Sequence, residues 1–166
     1  LSELIGRFGA ELLGKANYAR FGQEFPLLVK FIDAREDLSI QVHPDDELAR
    51  KRHGKSGKCE MWYVLEAEPG ASLLTGFSRP IAPAEYERRV ADNTLTDVLN
   101  RQAIASGDVF YLPAGRVHSI GKGSFIVEIQ QSSDITYRIY DFDRRDAAGN
   151  SRELHTELAR EAIDFE

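Results

Sequence analysis

The sequence predicts one mainly β domain, a two-sheet sandwich or barrel with helices inserted into it and at its ends. Short runs of β-branched and aromatic residues recur along the chain, and turns containing Gly or Pro separate them. The 166 residues are 42% hydrophobic and 29% charged, a globular balance with enough length for one core. We divide residues 1–166 into a helical lead-in (about 1–24), a β core (about 25–145) and a tail (146–166).

The first elements are a helix, two strands and a second helix. Apolar residues recur at helical spacing near the start, with Ser2 as a possible cap and Gly14 at the end, although Gly6 and Gly9 weaken this helix. The next three segments read as a buried strand, a strand and a short charged helix followed by Gly54; they cover residues 25–32, 38–42 and 45–53.

The later elements return to strands after a helical interval. Two strands flank the turn Glu68-Pro69-Gly70-Ala71, at residues 61–65 and 72–76. A helix begins at Pro83, because proline suits the first helical position, and residues 97–102 are interpreted as another helix. Strands then resume at residues 108–112, 124–130 and 135–142, and residues 153–163 read as a helix or a linker.

Composition excludes several classes of function. The net charge is -6 and no basic stripe is present, so we expect no nucleic-acid partner. No signal peptide and no apolar run of roughly 20 residues is found, which argues against a membrane partner. The single cysteine, Cys59, fits a reducing, cytoplasmic location. The oligomeric state stays open, and a chain that begins with Leu could be a fragment of a longer one.

A set of polar side chains on successive strands indicates a metal site. Gln41 and His43 are two apart in a strand pattern, so their side chains share a face. Glu60 and His118 follow in later strand-like segments. Two imidazoles, a carboxylate and an amide, without sulfur, suit a catalytic zinc or a similar divalent ion. The ligand order fits a site in the mouth of a double-sheet jelly roll.

Four blocks of sequence resemble one family, the type I mannose-6-phosphate isomerases, which are metal-dependent cupins. The blocks are Gln41-Val42-His43-Pro44-Asp45-Asp46, Lys58-Cys59-Glu60-Met61-Trp62-Tyr63-Val64-Leu65, Gly107 to Ser119 with Pro113-Ala114-Gly115-Arg116-Val117-His118, and Ser133 to Asp141 with Thr136-Tyr137-Arg138. The resemblance implies a cupin-type jelly roll and interconversion of mannose 6-phosphate and fructose 6-phosphate through an enediolate. It also implies one zinc, or another divalent metal, per chain, with the ligands Gln41, His43, Glu60 and His118.

The same resemblance assigns roles to five further residues. Arg138 matches an active-site arginine, which would stabilise the charge that develops on the two sugar oxygens. Lys58 and Glu128 correspond to polar active-site residues and are the candidate proton carriers, with a solvated loop end and a structural salt bridge as their alternatives. Ser39 and Arg144 are candidates for binding the phosphate, although Arg144 also fits a solvated charge cluster.

We interpret the cysteine and the two other histidines as structural or solvated residues. Cys59 stands where proline is common in the family and reads as a small core residue, and His53 and His155 read as solvated. An ion pair to Asp134 or Asp141 is the alternative for Arg138. Two rival functions stay open, and the second gains weight because the chain is shorter than typical members of the family. One is a cupin isomerase or epimerase for another sugar phosphate, and the other is a sugar-binding module without turnover.

Overall fold

The computed structural model describes all 166 residues, and it confirms the predicted two-sheet β-sandwich. The strands are β1 Leu27–Ala34, β2 Ile40–Val42, β3 Glu60–Ala67, β4 Ser72–Phe77, β5 Leu99–Ala103, β6 Val109–Leu112, β7 His118–Ile120, β8 Ser124–Gln131 and β9 Tyr137–Tyr140. They form one four-stranded sheet, β1-β8-β3-β6, and one five-stranded sheet, β5-β4-β7-β2-β9. All recorded pairings are antiparallel.

Six short helices accompany the sheets. They are α1 Ser2–Phe8, α2 Ala10–Leu13, α3 Lys15–Phe21, α4 Asp46–His53, α5 Pro83–Ala91 and α6 Thr156–Ala162. None of them combines the length and the apolar character that crossing a bilayer requires.

Two hydrophobic clusters define the layers. The first combines residues of both sheets, such as Trp62 and Leu73, and therefore lies between them. The second combines the other face of the five-stranded sheet, including Ile40 and Val42, with buried side chains of α4, α5 and α6. Because side chains alternate along a strand, burial of Ile40 and Val42 under the helices turns Gln41 toward the space between the sheets.

Helix α4 shows how local chemistry positions the segment before β3. The Asp45 carboxylate accepts a hydrogen bond from Leu48 N–H at 2.8 Å, and Gly54 ends the helix with a φ of 66°. Gly57 then passes so close to this N-terminus that a Cβ there would lie 2.4 Å from the Asp45 carbonyl carbon. The strand that carries Glu60 is thereby seated against the loop that follows β2.

Several predicted elements differ from the structure. The lead-in consists of three helices because Gly9 and Gly14, with φ values of 49° and 80°, interrupt it; its first cap is Leu1, not Ser2. The predicted helix at 97–102 is wrong: a 3₁₀ turn, Leu95–Val98, leads into β5, which pairs with β4. Strand β7 matches the strand-like segment in which we placed His118, although no bounds were predicted for it, and the tail contains the helix α6.

Candidate metal centre

Strands from both sheets bring the four predicted metal ligands together. Gln41 in β2 lies directly opposite His118 in β7, and His43 follows β2. Glu60 is the first residue of β3 in the other sheet. The candidate ligand atoms of His43, Glu60 and His118 all lie within 4.8 Å of one another. The site therefore spans the gap between the sheets.

Both imidazoles are held with Nε2 toward Glu60. His43 Nδ1 lies 2.9 Å from the Ile135 carbonyl oxygen, and His118 Nδ1 lies 2.7 Å from that of Arg116. A carbonyl can only accept, so in the neutral rings Nδ1 donates and Nε2 keeps its lone pair. The two Nε2 atoms are 3.3 and 3.4 Å from the Glu60 oxygens. This orientation by backbone carbonyls is typical of metal-binding histidines.

The buried atoms at the centre lack hydrogen-bond partners. His43 Nε2 and both Glu60 oxygens have none, although the residues are only 2% exposed. Buried polar atoms without a partner are costly, and a divalent cation would satisfy all three. Gln41 reaches His118 Nε2 through its amide nitrogen at 3.3 Å, and a 180° turn of the amide would offer its oxygen instead. The donor set, nitrogen and oxygen only, fits a resident metal ion.

The local electrostatics favour the protonation states that a metal needs. Burial lowers the pKa of His43 to about 4 and the pKa of His118 below its usual 6.5, so both rings are neutral at pH 7. Burial acts to raise the pKa of Glu60, but contacts with the two histidines and with Lys58 outweigh it and lower that pKa. The three groups are thus two neutral imidazoles and a carboxylate, which are the forms that coordinate a cation.

Lys58 lies beside the candidate metal centre. It comes just before β3, and its backbone N–H donates to the Pro44 carbonyl at 3.1 Å. Its Nζ lies 2.8 Å from Glu60 Oε1 in an ion pair without hydrogen-bond geometry. The Lys58 side chain is 6% exposed, so it is a buried cation against the candidate ligand Glu60.

Glu128 is buried in a polar group between the sheets. Its Oε1 pairs with Lys30 Nζ at 2.8 Å, and its Oε2 accepts from Trp62 Nε1 at 3.0 Å. Lys30 also reaches the amide oxygen of Gln130. The Trp62 ring in turn packs edge-on against His118, with 5.4 Å between centroids. Glu128 is therefore connected to the candidate ligand His118 through Trp62.

Arg138 stands next to Gln41 in the pairing of β2 with β9. One guanidinium nitrogen donates to the Glu153 carbonyl at 3.1 Å, and its buried Nε has no partner. Arg138 makes no ion pair, so the alternative pairing with Asp134 or Asp141 is not found in the structure.

The two candidate phosphate residues have different environments. Ser39 is buried just before β2. Arg144 donates to the Asp37 carbonyl at 2.7 Å and pairs with Asp141. Arg152 joins the same carboxylate, which gives Asp141 two guanidinium partners. The structure thus places Arg144 in a charge cluster that also includes a residue we did not predict.

Three further residues escaped the sequence interpretation. The sequence does mark Lys30, because it is a charged residue within the apolar run 27–32. Nothing in the sequence sets Trp62 or Arg152 apart. His155 was expected to be solvated, but it is half-buried and its Nδ1 accepts from the Arg138 N–H at 3.2 Å. His53 is exposed as expected, and its Nε2 lies 2.8 Å from the Tyr137 hydroxyl. Cys59, which we expected in the core, is only half-buried, and its thiol is free.

The larger surface clefts do not coincide with this centre. Two clefts of about 400 and 440 Å³ are lined by none of the predicted site residues. We place the functional site at the buried cluster because its donor atoms converge and are unsatisfied, whereas cleft volume carries no chemistry of its own.

Comparisons with known proteins find similar proteins of one kind. A family profile described as phosphomannose isomerase type I, catalytic domain, matches residues 3–78. A mannose-6-phosphate isomerase of Streptococcus mutans is 46% identical over 139 residues, which are 84% of this chain and 44% of that protein. Mannose-6-phosphate isomerase ManA of Bacillus subtilis is 43% identical over 144 residues, 86% of this chain and 45% of that protein.

The solved structures show the same relationship. The crystal structure of mannose 6-phosphate isomerase from Bacillus subtilis superposes with a TM-score of 0.87 at 37% identity, covering 96% of this chain and 50% of that one. The cupin-type fold is confirmed by this match. The chain spans about half the length of the relatives that it matches.

Proposed function

We propose that this chain, which is related to the type I mannose-6-phosphate isomerases, interconverts mannose 6-phosphate and fructose 6-phosphate with zinc at the metal centre. The observation that carries the proposal is the buried trio His43, Glu60 and His118, whose candidate ligand atoms converge beside Lys58 and are unsatisfied in His43 and Glu60. Arg138 pairs with Gln41 in the neighbouring strand. The small-molecule partner is a sugar phosphate. The single thiol and the chemistry of the substrate fit a cytoplasmic location.

The reaction transfers one proton between C1 and C2 of the open-chain sugar. A base removes the proton from one carbon, negative charge develops on the two oxygens, and the proton is returned to the other carbon while the hydroxyl proton moves from one oxygen to the other. Bound zinc supplies Lewis-acid polarisation of the sugar carbonyl. We assign Arg138 to hold the developing charge, because a fixed guanidinium stabilises an oxyanion without having to reorganise.

Lys58 and Glu128 are our candidates for the proton carrier. Lys58 sits against Glu60 with its ammonium buried, which places a titratable group beside the ligand trio. Glu128 is held from both sides by Lys30 and Trp62, so it must leave one partner to exchange a proton. This difference favours Lys58 as the proton carrier. Glu128 would instead hold Lys30 and Trp62 in place.

The phosphate lies at the end of the sugar remote from C1 and C2. We assign it to Ser39 and Arg144. The Arg144 side chain is 29% exposed, so part of its guanidinium can be reached from solvent. Binding energy at the phosphate would position the reacting carbons, so loss of Arg144 should act mainly on KM.

The test combines metal analysis with a coupled isomerase assay. We expect about one zinc per chain and turnover of mannose 6-phosphate that a chelator abolishes. Arg138→Ala should lower kcat and kcat/KM together by about 10²–10³ with the metal retained, and Arg138→Lys should restore little. Arg145→Ala is the matched control, because Arg145 is an exposed arginine in the turn after β9. Near-native kcat in Arg138→Ala would contradict its role.

Two outcomes would favour the rival functions. Turnover of another sugar phosphate in preference to mannose 6-phosphate would indicate a different cupin isomerase or epimerase. Metal-dependent sugar binding without turnover would indicate a binding module. Because the chain spans about half of its relatives, the assay must use this chain itself.

A further inference from the structure

The chain turns back after its last strand and runs along the edge of the five-stranded sheet. We call residues 152–155 the return segment. Strand β9 is the end strand of that sheet, so another strand pairs with only one of its two edges. At Arg138 the backbone N–H and the backbone carbonyl are both bonded by one residue of the return segment. The His155 N–H donates to the Arg138 carbonyl at 2.7 Å, and the Arg138 N–H donates to His155 Nδ1 at 3.2 Å.

The side chain of His155 serves the strand and not its own helix. His155 is the N-cap residue of α6, a position whose side chain normally accepts a hydrogen bond from the first turn, but its ring makes no such bond. An amide N–H can only donate, so Nδ1 carries a lone pair and the ring is neutral. The His155 carbonyl accepts from the N–H of Ala159, which is fully buried. The core therefore fixes where the ring stands.

The return segment also orients the guanidinium of Arg138. The Glu153 carbonyl accepts from it at 3.1 Å, which is the single hydrogen bond of that side chain. A carbonyl oxygen orients a guanidinium without cancelling its charge, whereas a carboxylate would neutralise the charge that has to stabilise an oxyanion. The carboxylate of Asp141 is already taken by Arg144 and Arg152. Arg152 thus anchors the start of the return segment and occupies that acid.

We propose that the return segment positions Arg138 for the isomerase reaction, with His155 as its positioning residue. The inference rests on the proposed function, in which Arg138 stabilises the developing charge. Without the Nδ1 acceptor, the Arg138 N–H loses its partner at the sheet edge, and the Glu153 carbonyl, two residues before His155, loses its fixed place. The guanidinium then samples several orientations. A displacement of about 1 Å in an active site can lower a rate about 10²-fold.

The experiment compares His155→Leu with His155→Asn in the 166-residue chain. Asparagine offers an amide oxygen as an acceptor close to the position of Nδ1 and also suits an N-cap, whereas leucine has no acceptor. His155→Leu should lower kcat on the order of 10–10²-fold, with little change in KM and with the metal content intact. His155→Asn should restore most of that loss. His155→Ala should behave like His155→Leu, so the test does not depend on the folding of one variant.

Two further variants separate positioning from general stability. His53→Leu is the matched control, because it also removes a histidine that contacts β9, at 2.8 Å from the Tyr137 hydroxyl, but leaves Arg138 untouched. Its kcat should stay native. In an Arg138→Ala background, His155→Leu should lower kcat no further, because a residue that acts through Arg138 then has nothing left to position.

Several results would overturn the proposal. Equal kcat losses in His155→Asn and His155→Leu would show that the acceptor is not what matters. Losses that multiply in the double variant would show that His155 acts apart from Arg138, and native kcat in His155→Leu would remove the role.

Hydrogen exchange of the Arg138 amide, followed by NMR, needs no activity. Its protection should be lost in His155→Leu and kept in His155→Asn. A native chain without turnover would overturn the proposed function, and this exchange would then decide on the contact alone: protection retained in His155→Leu would overturn it, and protection lost would uphold it.

Discussion

Replacing Lys58 by methionine should destabilise the metal-free protein far more than the metal-loaded one. In the metal-free centre, Lys58 is the cation closest to the Glu60 carboxylate, at 2.8 Å, and the two side chains are 6% and 0% exposed. Lys58→Met keeps the apolar stem but leaves that carboxylate buried without its cation. A bound divalent ion would neutralise Glu60 in its place, so the loss should be largely compensated when metal is present.

The magnitude follows from the burial of the pair. Removing one partner of a buried ion pair costs about 3–5 kcal/mol, and we take about 3 kcal/mol because a neighbouring histidine can take up a proton. At roughly 2–4 °C per kcal/mol for a chain of this size, the Tm of the stripped protein should fall by roughly 6–12 °C. If the loaded protein loses only about 1 kcal/mol, linkage requires the variant to bind metal about 30-fold more tightly.

The assay is thermal unfolding of stripped and reloaded protein, together with a metal titration in a competing chelator. Lys55→Met is the matched control, since Lys55 is in the same segment but pairs with Asp134 at an exposed site. Water and salt screen that exposed pair, so its loss should change the Tm little, and equally with and without metal. Equal Tm losses in the two forms of Lys58→Met, or weaker metal binding, would refute the reasoning.

The other predictions concern different parts of the structure. Hydrogen bonds from Arg152 and Arg144 hold the pKa of Asp141 below its usual 3.8 in spite of its burial. Asp141→Asn should therefore lower the free energy of unfolding by about 2 kcal/mol at pH 7. Denaturant unfolding should show that this difference from the native chain shrinks as the pH falls through the lowered pKa. Gly57→Ala should lower both Tm and metal content, because the new Cβ would clash with the Asp45 backbone 2.4 Å away. Unchanged metal content would show that the close approach of Gly57 to Asp45 is not needed for metal binding. His118→Ala should abolish stoichiometric metal binding by elemental analysis, whereas Cys59→Ser should retain it.

Local patterns were enough to predict several elements. The two-residue spacing of Gln41 and His43 indicated a shared strand side, and Gln41 does face the space between the sheets. The start of α4 after Asp45 and its end at Gly54 depend on contacts within one turn of helix, which a sequence displays directly. Residues 97–102 were misread because pairing with β4, more than twenty residues away, outweighs local preference.

The sequence by itself determined the donor chemistry: two imidazoles, a carboxylate and an amide in four matched blocks, with no sulfur ligand. Only the tertiary structure decided how these groups are arranged. The carbonyls of Ile135 and Arg116 fix the ring orientations of His43 and His118. Glu128 pairs with Lys30 across neighbouring strands that are nearly 100 residues apart in the sequence. Such contacts depend on strand register and on what covers each sheet face. Those features result from long-range pairing and the burial of apolar surface, which no local pattern contains.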